Sequence, residues 1–120
     1  MNIAIVGATG NVGRELLEIL YERNFPVKSL SALASEKSVG IKLPYGESNE
    51  IEVKALSRFN FEGTDIVLSS PGSEVSKQFS PIAAKAGAVV IDNTSQFRMD
   101  PDIPLIVPEV NSCKIGEYKN

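Results

Sequence analysis

The sequence predicts an α/β domain of Rossmann-like, doubly wound design, with a mostly parallel sheet, helices on both faces and a small antiparallel hairpin insertion. Three observations in its 120 residues carry that prediction. Short β-branched runs alternate with longer segments of helical period, the pattern of strands joined by crossover helices. A Gly-x-x-Gly-x-x-Gly turn joins the first run to the first helical segment. The stretch 41–54 breaks the alternation with two short alternating runs around a polar turn.

Residues 2–6 (Asn-Ile-Ala-Ile-Val) stop abruptly at Gly7 and read as a buried strand feeding a turn. Val12, Leu16, Ile19, Leu20 and Arg23 then recur at helical spacing, with Arg14, Glu15, Glu18 and Glu22 mostly opposite. Asn24 and Pro26 should stop this helix. Residues 28–34 read as the second strand. Ile41-Lys42-Leu43 and Glu50 to Lys54 read as a hairpin around the turn 44–49. Asp65 to Ser69 is another buried strand, closed by Pro71-Gly72. Over 73–86, Val75, Phe79, Ile82, Ala83 and Ala86 share a helical face, with Gly87 as the C-terminal cap. Pro81 should kink this helix or mark the start of a second one. Ala88 to Asp92 is a further strand, and Leu105-Ile106-Val107, between Pro104 and Pro108, is expected to be the last.

Composition narrows the function. Twelve Lys+Arg against 15 Asp+Glu give a net charge of −3, so no general attraction to nucleic acid or anionic membrane is expected. The hydrophobic fraction of 42 % and charged fraction of 22 % are ordinary for one folded domain. No apolar run approaches the roughly 20 residues that span a bilayer, and no secretory signal opens the chain, so a cytoplasmic location is expected. One cysteine cannot form an internal disulfide. The absence of histidine excludes a Ser-His-Asp triad, a Cys-His pair or a His-based zinc site built from this chain alone. The polar run from Lys114 to Asn120 carries no stop signal, and the chain is expected to end in the middle of a longer one.

Gly7, Gly10 and Gly13 stand between a strand and a helix. Glycine allows a tight turn and close approach of pyrophosphate to peptide N–H groups, and the helix that follows points unpaired N–H groups and its positive dipole end at the anion. That context favours a dinucleotide over an ordinary strand-to-helix turn. A fingerprint acid is due about 20 residues on, at the end of the second strand. Here that place reads Ser35-Glu36-Lys37-Ser38. Two hydroxyls and a cation suit a ribose 2′-phosphate and so favour NADP, whereas Glu36 suits the ribose of NAD, and a plain solvated loop is the third reading.

Asp92-Asn93-Thr94-Ser95-Gln96-Phe97-Arg98 follows a strand directly, where ligands of open α/β sheets lie. Amides and hydroxyls followed by one arginine suit a polar, anionic substrate, and the Arg98 guanidinium matches phosphate or carboxylate as a fork. A surface salt bridge to Asp100 or Asp102 is the competing reading. Cys113 has only Lys114 beside it in sequence and reads as a passive thiol.

Val6–Gly13 (VGATGNVG), Ala34–Gly40 (ASEKSVG) and Ser95–Asn111 (SQFRMDPDIPLIVPEVN) together carry a family resemblance. Over essentially all of its length the chain resembles the N-terminal, coenzyme-binding part of bacterial-type aspartate-β-semialdehyde dehydrogenases. The resemblance implies a reversible, NADP-dependent reduction of L-aspartyl 4-phosphate to L-aspartate 4-semialdehyde, the branch point toward lysine, threonine, methionine and isoleucine. It implies that Thr9, Gly10, Asn11 and Val12 of the glycine loop hold the pyrophosphate and that Ser35, Lys37 and Ser38 hold the 2′-phosphate. Ser70 and Gly72 match a segment lining the nicotinamide side, and Arg98, with Asn93 beside it, matches the site for the substrate phosphate. The family often has arginine where this chain has Lys37, which keeps the charge and loses the bidentate fork.

In that family a cysteine thiolate attacks the aldehyde, hydride passes to NADP⁺, and phosphate cleaves the resulting thioester. The nucleophile lies in an Asn-x-Cys type motif on the strand and helix that follow the Pro-Glu-Val-Asn segment, and Cys113, so close behind Asn111 at the end of that segment, comes too early in the chain to be that cysteine. The general-base histidine and the arginine for the substrate carboxylate belong to a downstream domain. The resemblance therefore implies that residues 1–120 are a truncated NADP-binding domain, without the catalytic and dimerisation domain of a usually homodimeric parent. Such a piece has no catalytic residue and no metal of its own, and is expected to be inactive alone. N-acetyl-γ-glutamyl-phosphate reductase shares the reaction type and the glycine loop, and a non-catalytic dinucleotide-sensing module is a further alternative. A short-chain reductase needs Tyr-x-x-x-Lys, and none of Tyr21, Tyr45 or Tyr118 supplies it.

Overall fold

The computed structural model describes residues 1–118. Its strands are β1 (Asn2–Val6), β2 (Ser29–Ala34), β3 (Lys42–Tyr45), β4 (Asn49–Ala55), β5 (Ile66–Ser69) and β6 (Val89–Asp92). They form one six-stranded sheet in the order β3-β4-β2-β1-β5-β6. Only β3 and β4 pair antiparallel; the other pairings are parallel. The hairpin is therefore part of the main sheet, because β4 runs parallel beside β2 from Ala32↔Val53 to Ala34↔Ala55. The helices are α1 (Asn11–Glu22), α2 (Ser73–Lys85) and the short α3 (Pro108–Asn111).

Alternation along β1 splits the interior into two cores. Ile3 and Ile5 pack with Leu17 and Leu20 of α1 and with Leu43 and Val53 of the hairpin. Ala4 and Val6 point the other way, to Leu33, Leu56, Phe61, Val67 and Ala83 of α2. Each fully buried aliphatic side chain of this kind is worth about 1.5–3 kcal/mol. The sheet is thus covered on both faces, as the near-continuous apolar strands require.

Both long helices end in the same way. At the end of α1, Phe25 N donates to Leu20 O at 3.1 Å and Asn24 N to Tyr21 O at 3.1 Å, with Asn24 left-handed at φ 48°. At the end of α2, Ala88 N donates to Ala83 O at 3.2 Å and Gly87 N to Ala84 O at 3.0 Å. These paired bonds satisfy carbonyls that the helices would otherwise leave open.

Four expectations need correction. The buried stripe of α1 is Gly13, Leu17 and Leu20, while Val12 is 44 % exposed and Arg23 is exposed. A side chain on Gly13 would collide with the backbone of Gly7 and Ala8, so the helix presses its bare glycine onto the turn and rotates Val12 outward. On α2 the buried residues are Ser76, Ser80 and Ala83, and Ile82 is 51 % exposed. The two serines face inward because a carboxylate from β6 meets them there. Pro81 neither ends nor divides α2, which runs through it with the proline on an exposed position, its ring turned away from the core. Finally, Leu105–Val107 forms no strand. Its backbone is satisfied by the Asn111 amide, which donates to Leu105 O at 2.8 Å and accepts from Val107 N at 2.7 Å. The residues Lys119 and Asn120 of the polar C-terminal run lie outside the described residues.

Candidate functional site

Parallel strands deliver their carboxyl ends to one edge of a sheet. Here that edge gathers the loops after β1, β2, β4, β5 and β6. The chain leaves β1 toward β2 on one side and returns to β5 on the other, so the switch in winding direction falls at β1. A cavity of about 560 Å³ opens there. Thr9, Gly10, Ser35, Glu36, Ser57 and Ser70 give it a polar rim, and Leu56, Val75 and Phe79 an apolar wall. Such a mixture suits a ligand with an apolar body and a few fixed polar groups. A wider groove of about 670 Å³ lies between α1 and the hairpin, but Glu15, Glu18, Glu22 and Glu47 line it and disfavour phosphate.

The glycine loop is held from both sides. Gly7 N and Ala8 N donate to Leu33 O at 2.9 and 3.1 Å. Gly10 N closes the turn onto Gly7 O at 3.1 Å, and Arg14 Nε donates to Thr9 O at 3.1 Å. A side chain on Gly7 would come within 2.6 Å of Ser70 O, so the loops after β1 and β5 touch. Among the described residues, the N–H groups of Asn11, Val12 and Gly13 donate to no partner. The first turn of α1 carries no acidic side chain. Three open donors and the positive end of a helix dipole therefore stand beside Gly10, where only the Gly7 carbonyl lies near.

After β2 the chain makes a 3₁₀ turn over Glu36–Ser38, with Ser38 N donating to Ser35 O at 2.9 Å. Ser35 lines the cavity; Lys37 is exposed and Ser38 half-buried, neither of them on the cavity wall. Glu36 bonds across to the turn after β4, accepting from Ser57 Oγ at 3.1 Å and from Arg58 Nη2 at 3.2 Å. The hydrogen bond from Arg58 holds the Glu36 carboxyl below its ordinary range, helped by the Ser57 hydroxyl and the Arg58 charge.

After β5, Ser70 N donates to Val6 O at 2.9 Å, which keeps Ser70 on the cavity rim, and Gly72 caps the start of α2. After β6, Asp92 organises the loop that carries Asn93 and Arg98. One of its oxygens accepts from Ser76 Oγ and, at 3.3 Å, from Ser80 Oγ; the other accepts from Thr94 N at 2.7 Å. Ser73 and Ser95 hydroxyls meet at 3.1 Å, a second tie between α2 and this loop. Asn93 N donates to Ser69 O at 2.8 Å. Asn93 and Arg98 are exposed on the same edge, off the cavity wall, and the Arg98 guanidinium forms no ion pair with a described residue. Cys113 is exposed on the 3₁₀ turn Ser112–Glu117.

Sequence reasoning brought Gly7, Thr9, Gly10, Ser35 and Ser70 to this cavity and missed Leu56, Ser57, Val75 and Phe79. The last two are readable as apolar positions opening α2. Nothing local marks Leu56 and Ser57, which reach the cavity only because β4 runs beside β2. Among the described residues, no group of three or more His, Cys, Asp or Glu is placed to hold a metal, and no helix is long and apolar enough to cross a membrane.

A doubly wound parallel sheet with a glycine loop at its switch point, open helix donors and a half-apolar cavity above it defines a dinucleotide-binding domain. The sequence profile described as "Semialdehyde dehydrogenase, NAD binding domain" matches residues 2–118. The chain belongs to that family, as its coenzyme-binding domain. It is 53 % identical over 118 residues to the aspartate-semialdehyde dehydrogenase of Aquifex aeolicus, covering 98 % of this chain and 34 % of that protein. The structure of aspartate semialdehyde dehydrogenase II from Vibrio cholerae, complexed with ASA, superposes with a TM-score of 0.93 at 50 % identity, over 98 % of this chain and 38 % of that one. The Candida albicans aspartate semialdehyde dehydrogenase with NADP gives 0.77 at 26 % identity, over 97 % and 36 %. The chain thus spans about a third of the length of the relatives it matches.

Proposed function

We propose that this domain binds NADP(H) for an aspartate-semialdehyde dehydrogenase, a cytoplasmic homodimer that reversibly reduces L-aspartyl 4-phosphate to L-aspartate 4-semialdehyde in amino-acid biosynthesis. The observation that carries the reading is the cradle at Gly10, with three undirected N–H donors beside a backbone that leaves room for a phosphate. Thr9 to Gly13 hold the pyrophosphate by those donors. Ser35, Lys37 and Ser38 take the ribose 2′-phosphate, and Ser70 with Gly72 borders the nicotinamide. A bound nicotinamide supplies or accepts the hydride; the chain's own part is to fix where that happens. Arg98, exposed and without an ion pair among the described residues, is the fork for the substrate phosphate, with Asn93 a second polar group on the same loop. The chain has no histidine, and its cysteine lies out on the 3₁₀ turn. The thiol and imidazole steps therefore fall to residues outside this domain, which is inactive alone.

Calorimetric titration with NADPH and NADH tests the coenzyme reading. NADPH is expected to bind more tightly. Lys37→Ala is expected to weaken NADPH about tenfold and NADH less than about twofold, because only NADPH loses a charge-assisted contact. Equal losses, or a wild-type preference for NADH, would count against the 2′-phosphate assignment.

A further inference from the structure

Glu36 is the residue of the 35–38 loop that argues for NAD, because a free carboxylate there grips ribose hydroxyls and repels a 2′-phosphate. The structure gives this carboxylate other partners. Ser57 Oγ and Arg58 Nη2 both bond to the same oxygen, Oε1, at 3.1 and 3.2 Å. Both donors belong to the 3₁₀ turn Leu56–Arg58, which follows β4 directly. The parallel register Ala34↔Ala55 brings that turn alongside the 35–38 loop, within side-chain reach of Glu36. Glu36 and Ser57 line the same cavity as Thr9 and Gly10.

The pair contributes little to stability, since the side chains of Arg58 and Glu36 are 76 % and 61 % exposed. Its effect is on the local field. Glu36 alone would set a negative charge at the far end of the cavity. With Arg58 beside it the pair is neutral, and Lys37 leaves the turn net positive. We infer that Arg58 is a specificity-determining residue of the coenzyme site: by neutralising Glu36 it opens the 35–38 loop to a ribose 2′-phosphate and sets NADP above NAD. This inference rests on the NADP reading of that loop.

The test compares the wild type with Arg58→Met, Glu36→Gln and the double variant. Each is titrated with adenosine 2′,5′-bisphosphate, adenosine 5′-monophosphate, NADPH and NADH. Both side chains are exposed, so all three variants are expected to fold, which circular dichroism checks. Arg58→Met is expected to weaken the bisphosphate and NADPH at least about fivefold, leaving the monophosphate and NADH within about twofold. The double variant is expected to recover most of that loss, because the carboxylate that Arg58 offsets is gone. A wild type that prefers NADPH together with an Arg58→Met variant that keeps the preference overturns the role of Arg58 and leaves the NADP reading standing. Equal losses across the four ligands, or no recovery in the double variant, also overturn it. A wild type that prefers NADH and the monophosphate, or that binds no bisphosphate, overturns the NADP reading and the inference with it.

Discussion

Gly10 and Gly13 stand three positions apart and answer to different demands. Gly13 is buried against the Gly7–Ala8 backbone, where a methyl group has no space; Gly10 has an ordinary φ of −75° and an ordinary 3.5 Å neighbour. Gly13→Ala should therefore destabilise the fold by about 1–3 kcal/mol or more through overpacking against rigid backbone. Gly10→Ala should cost about 1 kcal/mol or less as a weaker helix cap, yet weaken dinucleotide binding sharply by filling the phosphate approach. Urea unfolding and calorimetry of the two variants separate these effects. Glu36 gives a second prediction at this scale. A carboxyl held low by its partners lends stability above its ordinary pKa and loses it as the pH falls through the lowered value. Glu36 therefore stays ionised between about pH 6 and 8, and the NADPH:NADH affinity ratio should not change across that window on account of Glu36.

At the scale of elements, α2 shows what periodicity reads and what it misses. Its existence and both its ends were legible, through the apolar spacing and through Gly87. Its inward face was not, because Ser76 and Ser80 look solvent-facing until Asp92 of β6 is placed against them. Asp92→Ala would take the carboxylate from two buried hydroxyls, leaving Ser76 and Ser80 only each other at 3.2 Å, and release the turn at Thr94. The expected loss is about 1–3 kcal/mol in urea unfolding, with Asp92→Asn falling between it and the wild type. Leu105–Val107 failed for a related reason. Three apolar residues between prolines look like a strand, but the Asn111 side chain satisfies the backbone groups a partner strand would have taken.

For the whole molecule, the fold class is legible because alternating strands and helices leave few ways to wind a sheet, whereas the place of the hairpin beside β2 is not. Of the cavity, Gly7, Thr9, Gly10, Ser35 and Ser70 are legible, because each stands just past the end of a strand the sequence announces. Its far end is assembled by the β2–β4 register, a contact between residues some 20 apart in sequence, and no local spacing announces Leu56, Ser57 or Arg58. One further property follows from β1. Ile3 and Ile5 belong to the core under α1, and Ala4 and Val6 to the core under α2, so neither layer can melt without removing a wall of the other. The domain should lose both cores in one cooperative transition, with the amides of β1 the slowest to exchange with deuterium. The glycine loop that leaves β1 at Val6 is thereby tied to the last part of the molecule to open.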